Sequence, residues 1–421
     1  MKKVLFLTYY WPPSGKASLH FPLQLIKHLN EFGWKSTVAT VAEDTFTQKD
    51  DSLLAEIPSD ITVHKIKTFE PFNLYRKFIG KKDSEPLIAS ETISKEKKNF
   101  AHRLSIWIRM NLFIPDARIG WYPFAVKYLK RLLQEEKFDA IITVGPPHSV
   151  HLIGLKLSKL FHLPHVPIFI DPWVDIVYYK DFKRSGITVS VDKYFEKNVL
   201  ANAGHIIFVT KSMAEDFIAR YPFVQNKSTV LYWGYNEENF TGITNRTHST
   251  EDKVLLHAGN IFDYQNPKRL WKYISDRVAQ GEKLKLQFIG TVSPEIKESI
   301  VQAGLEQVTE FLGFLPYQEV INKMCSSDYL LVCTTEKRHV PGKLFEYLRA
   351  QKPILCFGDE NPEVAELIRI GNAGMYLEYQ NNGEIFFREL HSFSTDLAFA
   401  KRFDRRNAAS ILAKTLTSLS K

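Results

Sequence analysis

A chain of 421 residues is too long for one ordinary core and points to two domains. Hydrophobic and charged shares of 44% and 24% are those of a soluble globular protein, and no run of about 18 apolar residues occurs, which argues against a membrane-spanning helix. The net charge of +8 leaves nucleic acid, anionic lipid and anionic substrates to be weighed, while the three cysteines, Cys325, Cys333 and Cys356, lack metal-ligand spacing and read as buried thiols in a reducing compartment.

The first apolar run, Val4 to Thr8, breaks at Trp11-Pro12-Pro13 and has no small-residue cleavage site, so it reads as a strand rather than a signal peptide. A Pro/Gly loop, Tyr9 to Ser18, leads to a helix over Leu19 to Phe32, which Gly33 ends, and Ser36 to Val41 is the next strand. This βαβ opening begins a doubly wound sheet, whose first loop is a usual place for ligands. Residues 72–100 are polar and rich in Lys and Glu, and read as a mobile insertion. From Phe100 to Ile114 bulky apolar residues accompany His102, Arg103 and Arg109. The stretch fits either a core helix or a helix lying on anionic lipid.

Helices are expected over Trp121 to Lys137, His151 to Phe161, Val189 to Ala203 and Lys211 to Tyr221. Strands are expected over Asp139 to Val144, Val166 to Ile170, His205 to Thr210 and Ser228 to Tyr232. Two strands deliver polar loops, Gly145-Pro146-Pro147-His148-Ser149 and Asp171-Pro172-Trp173. The Thr-, Asn- and Ser-rich stretch from Thr241 to Lys253 is the linker candidate. The organisation is therefore a first domain over 1–240, a second over 241–396, and a basic C-terminal helix, 397–421, able to pack back on the first. In the second half, strands at Val254 to His257, Leu284 to Gly290, Val308 to Leu312 and Gly374 to Leu377 alternate with helices, again without a repeat.

One late stretch organises this half. The strand Tyr329 to Cys333 is followed by a polar loop and then Val340-Pro341-Gly342-Lys343-Leu344-Phe345-Glu346-Tyr347-Leu348. Lys352-Pro353 breaks the helix before the strand Ile354 to Gly358. A helix starting at the carboxyl edge of a parallel sheet offers a positive dipole end, to which Lys343 adds a full charge. Glu346 can accept hydrogen bonds from sugar hydroxyls. Spacing alone fits equally well a surface ion pair between Lys343 and Glu346.

With these elements in place, the chain resembles the glycosyltransferases of family 4. The resemblance is carried by Tyr9-Tyr10-Trp11-Pro12-Pro13, Ile114-Pro115-Asp116-Ala117-Arg118, Gly145 to Ser149, Asp171-Pro172-Trp173 and Gly342 to Tyr347, in that order. It implies the GT-B fold, an α/β architecture of two doubly wound Rossmann-like domains facing a cleft. It also implies transfer of a sugar, with retention, from a nucleotide-diphosphate donor to a glycan or lipid-linked acceptor in envelope polysaccharide or glycoconjugate synthesis. No metal or other cofactor is implied, only the nucleotide sugar as co-substrate. The location implied is cytoplasmic, and the basic charge with the aromatic stretch Phe100 to Ile114 suggests peripheral contact to an anionic membrane.

The resemblance places Glu346 on the donor's ribose, and Lys343 with the amides of Gly342 to Leu344 on its diphosphate. His148 would touch the donor sugar or the reacting face, although a helix-capping histidine fits the same position. Asp171 and Trp173 would line the acceptor side, and Gly15 would allow close backbone approach. Gly259, Asn260 and Gln265 belong to the donor loop of the second half. Four positions depart from the family pattern: Lys16 stands for a second glycine, Arg338 for a glutamate, Ile170 for an arginine and Gln265 for an arginine. Lys16, Arg338 and Lys268 could restore the positive charge. The departures keep open a binding module without turnover. A nucleic-acid binder is suggested only by charge, which is dispersed, so no nucleic-acid partner is expected.

Overall fold

Lys2–Thr8 (β1) is apolar from Val4 to Leu7, so only a strand covered on both faces can accommodate it; Val4, Leu5, Phe6 and Leu7 are fully buried. It is an interior strand of a seven-stranded parallel sheet in the computed structural model, which describes residues 1–46, 49–69, 100–175, 184–243, 252–334 and 337–420. The other strands are Trp34–Val41 (β2), Thr62–Ile66 (β3), Ala140–Gly145 (β4), His165–Phe169 (β5), Ile206–Phe208 (β6) and Ser228–Val230 (β7), in the order β3-β2-β1-β4-β5-β6-β7. Every pairing is parallel. The insertion expected at 72–100 lies outside the described residues except for Phe100, as does most of the linker candidate, at 244–251.

The second sheet contains Lys253–Ala258 (β8), Leu284–Ile289 (β9), Thr309–Gly313 (β10), Tyr329–Cys333 (β11), Ile354–Phe357 (β12) and Gly374–Leu377 (β13), ordered β10-β9-β8-β11-β12-β13. It too is parallel throughout. Alternate residues of a strand point to opposite faces. Leu330, Val332, Ile354 and Cys356 join one core, while Leu331, Cys333, Leu355 and Phe357 join another. Helices therefore cover both faces, which is the doubly wound arrangement. In both sheets the strand order reverses beside the first strand, between β1 and β4 and between β8 and β11.

The chain divides into two compact units, Met1–Leu231 with Ala409–Lys421, and Tyr232–Ala408. The boundary thus precedes the expected one at 240, because Tyr235 and Phe240 are buried in the core of the second unit. The tail is not one helix. Leu397–Lys401 lies in the second unit, and Arg405–Leu419 starts there and ends in the first. Its last turns join β1 and β2 residues: Trp34 Nε1 donates to Thr417 Oγ1 at 3.2 Å, and Lys2 Nζ to Ser420 O at 3.4 Å. Among the described residues no helix is long and apolar enough to cross a membrane.

Candidate active site

In the first unit the loop after β1 is mostly structural. Tyr9 and Trp11 are buried, and Tyr9 packs edge-on against Trp121 with ring centroids 5.6 Å apart. Gly15 and Lys16, farther along, are exposed. The loop after β4 begins the helix Ser149–Phe161. His148 occupies the residue before this helix, but its side chain does not cap it. Asp116 does so instead, accepting from Ser149 N at 2.8 Å and from Ser149 Oγ at 3.0 Å. Burial raises the Asp116 carboxyl pKa against the pull of these bonds.

His148 is released from capping and buried. Its Nε2 lies 3.2 Å from Pro172 O, which can only accept, so Nε2 carries the proton. The ring stacks on Trp173 at 5.1 Å and 7°. Burial lowers the imidazole to about 3, leaving it neutral at pH 7. His151 and His165 lie behind it, each with one ring nitrogen 2.7 Å from Thr143 Oγ1, and burial lowers both of these as well. Gly145 makes the arrangement possible. A Cβ there would lie 2.5 Å from His151 Nε2 and 2.9 Å from His148 Nδ1.

The Asp171 loop is held from below by the helix Gly186–Asn202. Its Asp192 and Glu196, one turn apart, face the sheet and are fully buried. Asp192 accepts from Trp173 Nε1 at 2.7 Å and pairs with Arg184. Glu196 accepts from Val174 N at 3.2 Å, Arg220 Nη1 at 2.9 Å and Tyr221 OH at 3.0 Å. Trp173 is therefore a wall behind His148, 1% exposed, and not a residue lining the acceptor side as expected. Asp171 remains half-buried at the sheet edge without a hydrogen bond or ion pair to another described residue, and burial raises its carboxyl to about 6. A carboxylate left in this state is a mark of a ligand-facing position.

In the second unit, Lys343 and Glu346 do not pair with each other. Lys343 begins the helix Lys343–Ala350, and its Nζ lies 3.1 Å from His257 Nε2. It also lies against Gly259, whose φ is +98° and whose missing Cβ would be 3.0 Å from Nζ. Lys343 and Gly259 follow β11 and β8, so the ammonium sits where the strand order reverses, at the carboxyl edge. Glu346 is half-buried and accepts a short hydrogen bond from Tyr317 OH, while burial raises its carboxyl pKa. Exposed Gly342 precedes the helix. The Leu344 amide already donates to Pro341 O at 3.0 Å and its side chain is core, so it is not free for a ligand as expected.

Other residues expected at the donor are engaged differently. Gln265 is buried; Nε2 donates to Cys333 O at 2.8 Å and Oε1 accepts from Phe262 N at 3.1 Å. It locks the loop to the end of β11 and does not face outward. Lys268 forms an exposed pair with Glu295 at 2.9 Å. Asn260 accepts from Thr291 N at 3.0 Å, joining the loops after β8 and β9. Arg338 is half-buried on the loop before the Lys343 helix. That loop is pinned by Asn361, whose Nδ2 donates to His339 O at 2.8 Å. Asp116, Asp192, Glu196, His257, Tyr317 and Asn361 were all missed as contributors by the sequence reading. Asp116 alone had a signal, its place in the Ile114–Arg118 stretch. Among the described residues no group of three or more His, Cys, Asp or Glu is placed to hold a metal ion.

Two doubly wound parallel sheets, each gathering polar side chains where its strand order reverses, make up the GT-B fold. The chain belongs to Glycosyltransferase Family 4, whose model matches residues 21–239, and the model for Glycosyl transferases group 1 matches residues 243–409. No curated protein matches by sequence. Among solved structures, Anabaena Alr3699/HepE in complex with UDP and glucose is similar over 100% of both chains at 17% identity, with a TM-score of 0.61. The lipopolysaccharide outer core galactosyltransferase WaaB, in its apo form, is similar at 14% identity and a TM-score of 0.58, over 99% of each chain. A mutant of S. aureus TarM with fondaparinux, alpha-GlcNAc-glycerol and UDP gives 12% and 0.58 over 100% of both. At such identities the likeness concerns the fold.

Proposed function

We propose that this glycosyltransferase moves a sugar, with retention, from a nucleoside-diphosphate donor to a hydroxyl of a glycan or lipid-linked acceptor, in envelope polysaccharide or glycoconjugate assembly in the cytoplasm. The bond from the anomeric carbon to the diphosphate oxygen breaks, a bond to the acceptor oxygen forms, and the acceptor's proton leaves with the diphosphate. The observation that carries this reading is the half-buried Lys343 ammonium, held beside Gly259 at a helix start. A fixed cation aimed at a leaving diphosphate stabilises charge as it develops, without a metal. Glu346 would accept from the ribose hydroxyls once Tyr317 yields. In the first unit, neutral His148 and half-buried Asp171 would meet sugar and acceptor hydroxyls.

The test is a panel of nucleotide sugars, scored for sugar release and transfer in the presence of EDTA. One donor should turn over, and Glu346→Ala should raise its KM at least tenfold, the loss of charge-assisted hydrogen bonds to a ribose. Nucleotide binding without any sugar release would instead favour a binding module, the reading that the engaged Gln265 and Lys268 support. No nucleotide binding at all would end both.

Peripheral membrane attachment belongs to the same proposal. The helix Phe100–Leu112 exposes Leu104 (37%), Trp107 (50%) and Leu112 (65%). Asn111 Oδ1 accepts from Ser185 N at 2.6 Å, which brings Ile187, 79% exposed, to the same end of the helix. An aromatic and aliphatic patch on a basic chain suits an anionic bilayer surface. The protein should float with phosphatidylglycerol vesicles at low salt, and Trp107→Ser with Leu112→Ser should abolish this. Flotation equal to that with neutral vesicles, or none, would remove the attachment.

A further inference from the structure

We infer that His257, which no motif marks, is a positioning residue for Lys343: its Nε2 lone pair holds the ammonium beside Gly259, where a diphosphate would meet it. The inference rests on the reading of Lys343 given above.

β8 carries His257 into the interior, where it is 1% exposed. Nδ1 lies 3.1 Å from Leu331 O on the neighbouring β11. A carbonyl only accepts, so Nδ1 carries the single proton of the neutral ring. Nε2 is then a bare lone pair. Lys343 Nζ, a donor only, lies 3.1 Å from it. One proton then lies between Nζ and Nε2 and one between Nδ1 and the carbonyl, each with one donor and one acceptor. The arrangement could not be reversed without placing two protons between Nε2 and Nζ.

The surroundings keep the ring in this state. Burial and the Lys343 charge hold the His257 pKa well below its ordinary value, against backbone hydrogen bonding at Leu331, Asn260 and Gly259. Lys343 faces His257 on β8, Cys333 on β11 and Glu346 on its own helix; burial lowers its ammonium to about 8, with Cys333 and Glu346 pulling upward. A long, flexible side chain loses considerable entropy when fixed. An acceptor already in place means that this cost is met before the ligand arrives, which favours tight binding. Gly259 adds the steric half of the device, since any Cβ there would press on Nζ.

Two substitutions separate positioning from packing. In His257→Asn the amide nitrogen takes the place of Nδ1–H toward Leu331 O, but nothing reaches Nζ. In His257→Gln the amide oxygen takes the place of Nε2. Calorimetry on the full chain would use uridine, guanosine and adenosine diphosphates, carrying the tightest binder through the series. His257→Asn should weaken the diphosphate about tenfold and leave the corresponding nucleoside unchanged, while His257→Gln should recover most of the loss. Diphosphate binding should fall as pH rises through the Lys343 titration. In His257→Asn that limb should begin at lower pH, because the ammonium has lost an acceptor that favours its charged form. Equal weakening of diphosphate and nucleoside, or parental diphosphate binding in His257→Asn while Lys343→Ala is weakened, would overturn the inference. Parental binding in Lys343→Ala would overturn the reading of Lys343 itself.

Discussion

Lys343→Met is expected to lower sugar transfer by about 10²–10³-fold while the protein stays folded, the cost of removing one fixed donor at a site of developing negative charge. Methionine keeps most of the apolar stem, and the lost ammonium was itself half-buried, so stability has little to lose. A leaving diphosphate would gain charge as the glycosidic bond stretches, and a cation fixed by His257 and Gly259 would meet that charge without reorganising. The pH profile adds a second readout. Burial brings the free ammonium to about 8, so kcat/KM for the donor should fall as pH rises through that value. Bound diphosphate favours the charged form, so the corresponding limb of kcat should lie at higher pH. Transfer at the parental rate in Lys343→Met would place the diphosphate elsewhere on the chain.

The parts of these sheet-edge clusters, one in each unit, that could be read in the sequence are those fixed by local chemistry. Pro341 and Gly342 mark a helix start after an apolar strand, and the helix begins at Lys343. Gly145 to Ser149 and Asp171 to Trp173 follow strands, and both lie at the carboxyl edge of the first sheet. What escaped depends on contacts distant in the chain. Lys253–Ala258 carries one histidine among apolar residues, which reads as core, and it becomes legible only when β11 supplies a carbonyl and the following helix a lysine. Asp192 and Glu196 are spaced like a solvated helix face, yet that face is turned toward the sheet and fully buried. Gln265 was expected at the donor from the resemblance, and Lys268, at the start of the next helix, as a replacement charge. One fills a hydrogen-bonding gap beneath the loop and the other is paired in solvent. The edge strand Thr62–Ile66 was missed because Thr62 and Lys65 are exposed and only Ile66 is fully covered, so it lacks the apolar signature of its neighbours.

Asp192→Ala should destabilise the first unit by about 3–5 kcal/mol, the usual consequence of removing one partner from a buried ion pair. Arg184 has a side chain only 7% exposed and would lose its carboxylate, and the buried Trp173 Nε1–H would lose its acceptor. Urea titration followed by near-ultraviolet circular dichroism, which senses the packing of Trp173 against His148, would measure both stability and the integrity of the stack. Asp192→Asn divides the two contributions. Its amide oxygen can still accept from Trp173, whereas the charge opposite Arg184 is gone. If the stack is held mainly by the hydrogen bond, Asp192→Asn should keep the near-ultraviolet signal despite lower stability, and transfer should survive in it but not in Asp192→Ala. Identical unfolding curves for Asp192→Ala and the parent would mean that Arg184 and Trp173 are held without Asp192, and that the helix beneath the Asp171 loop does not set its position.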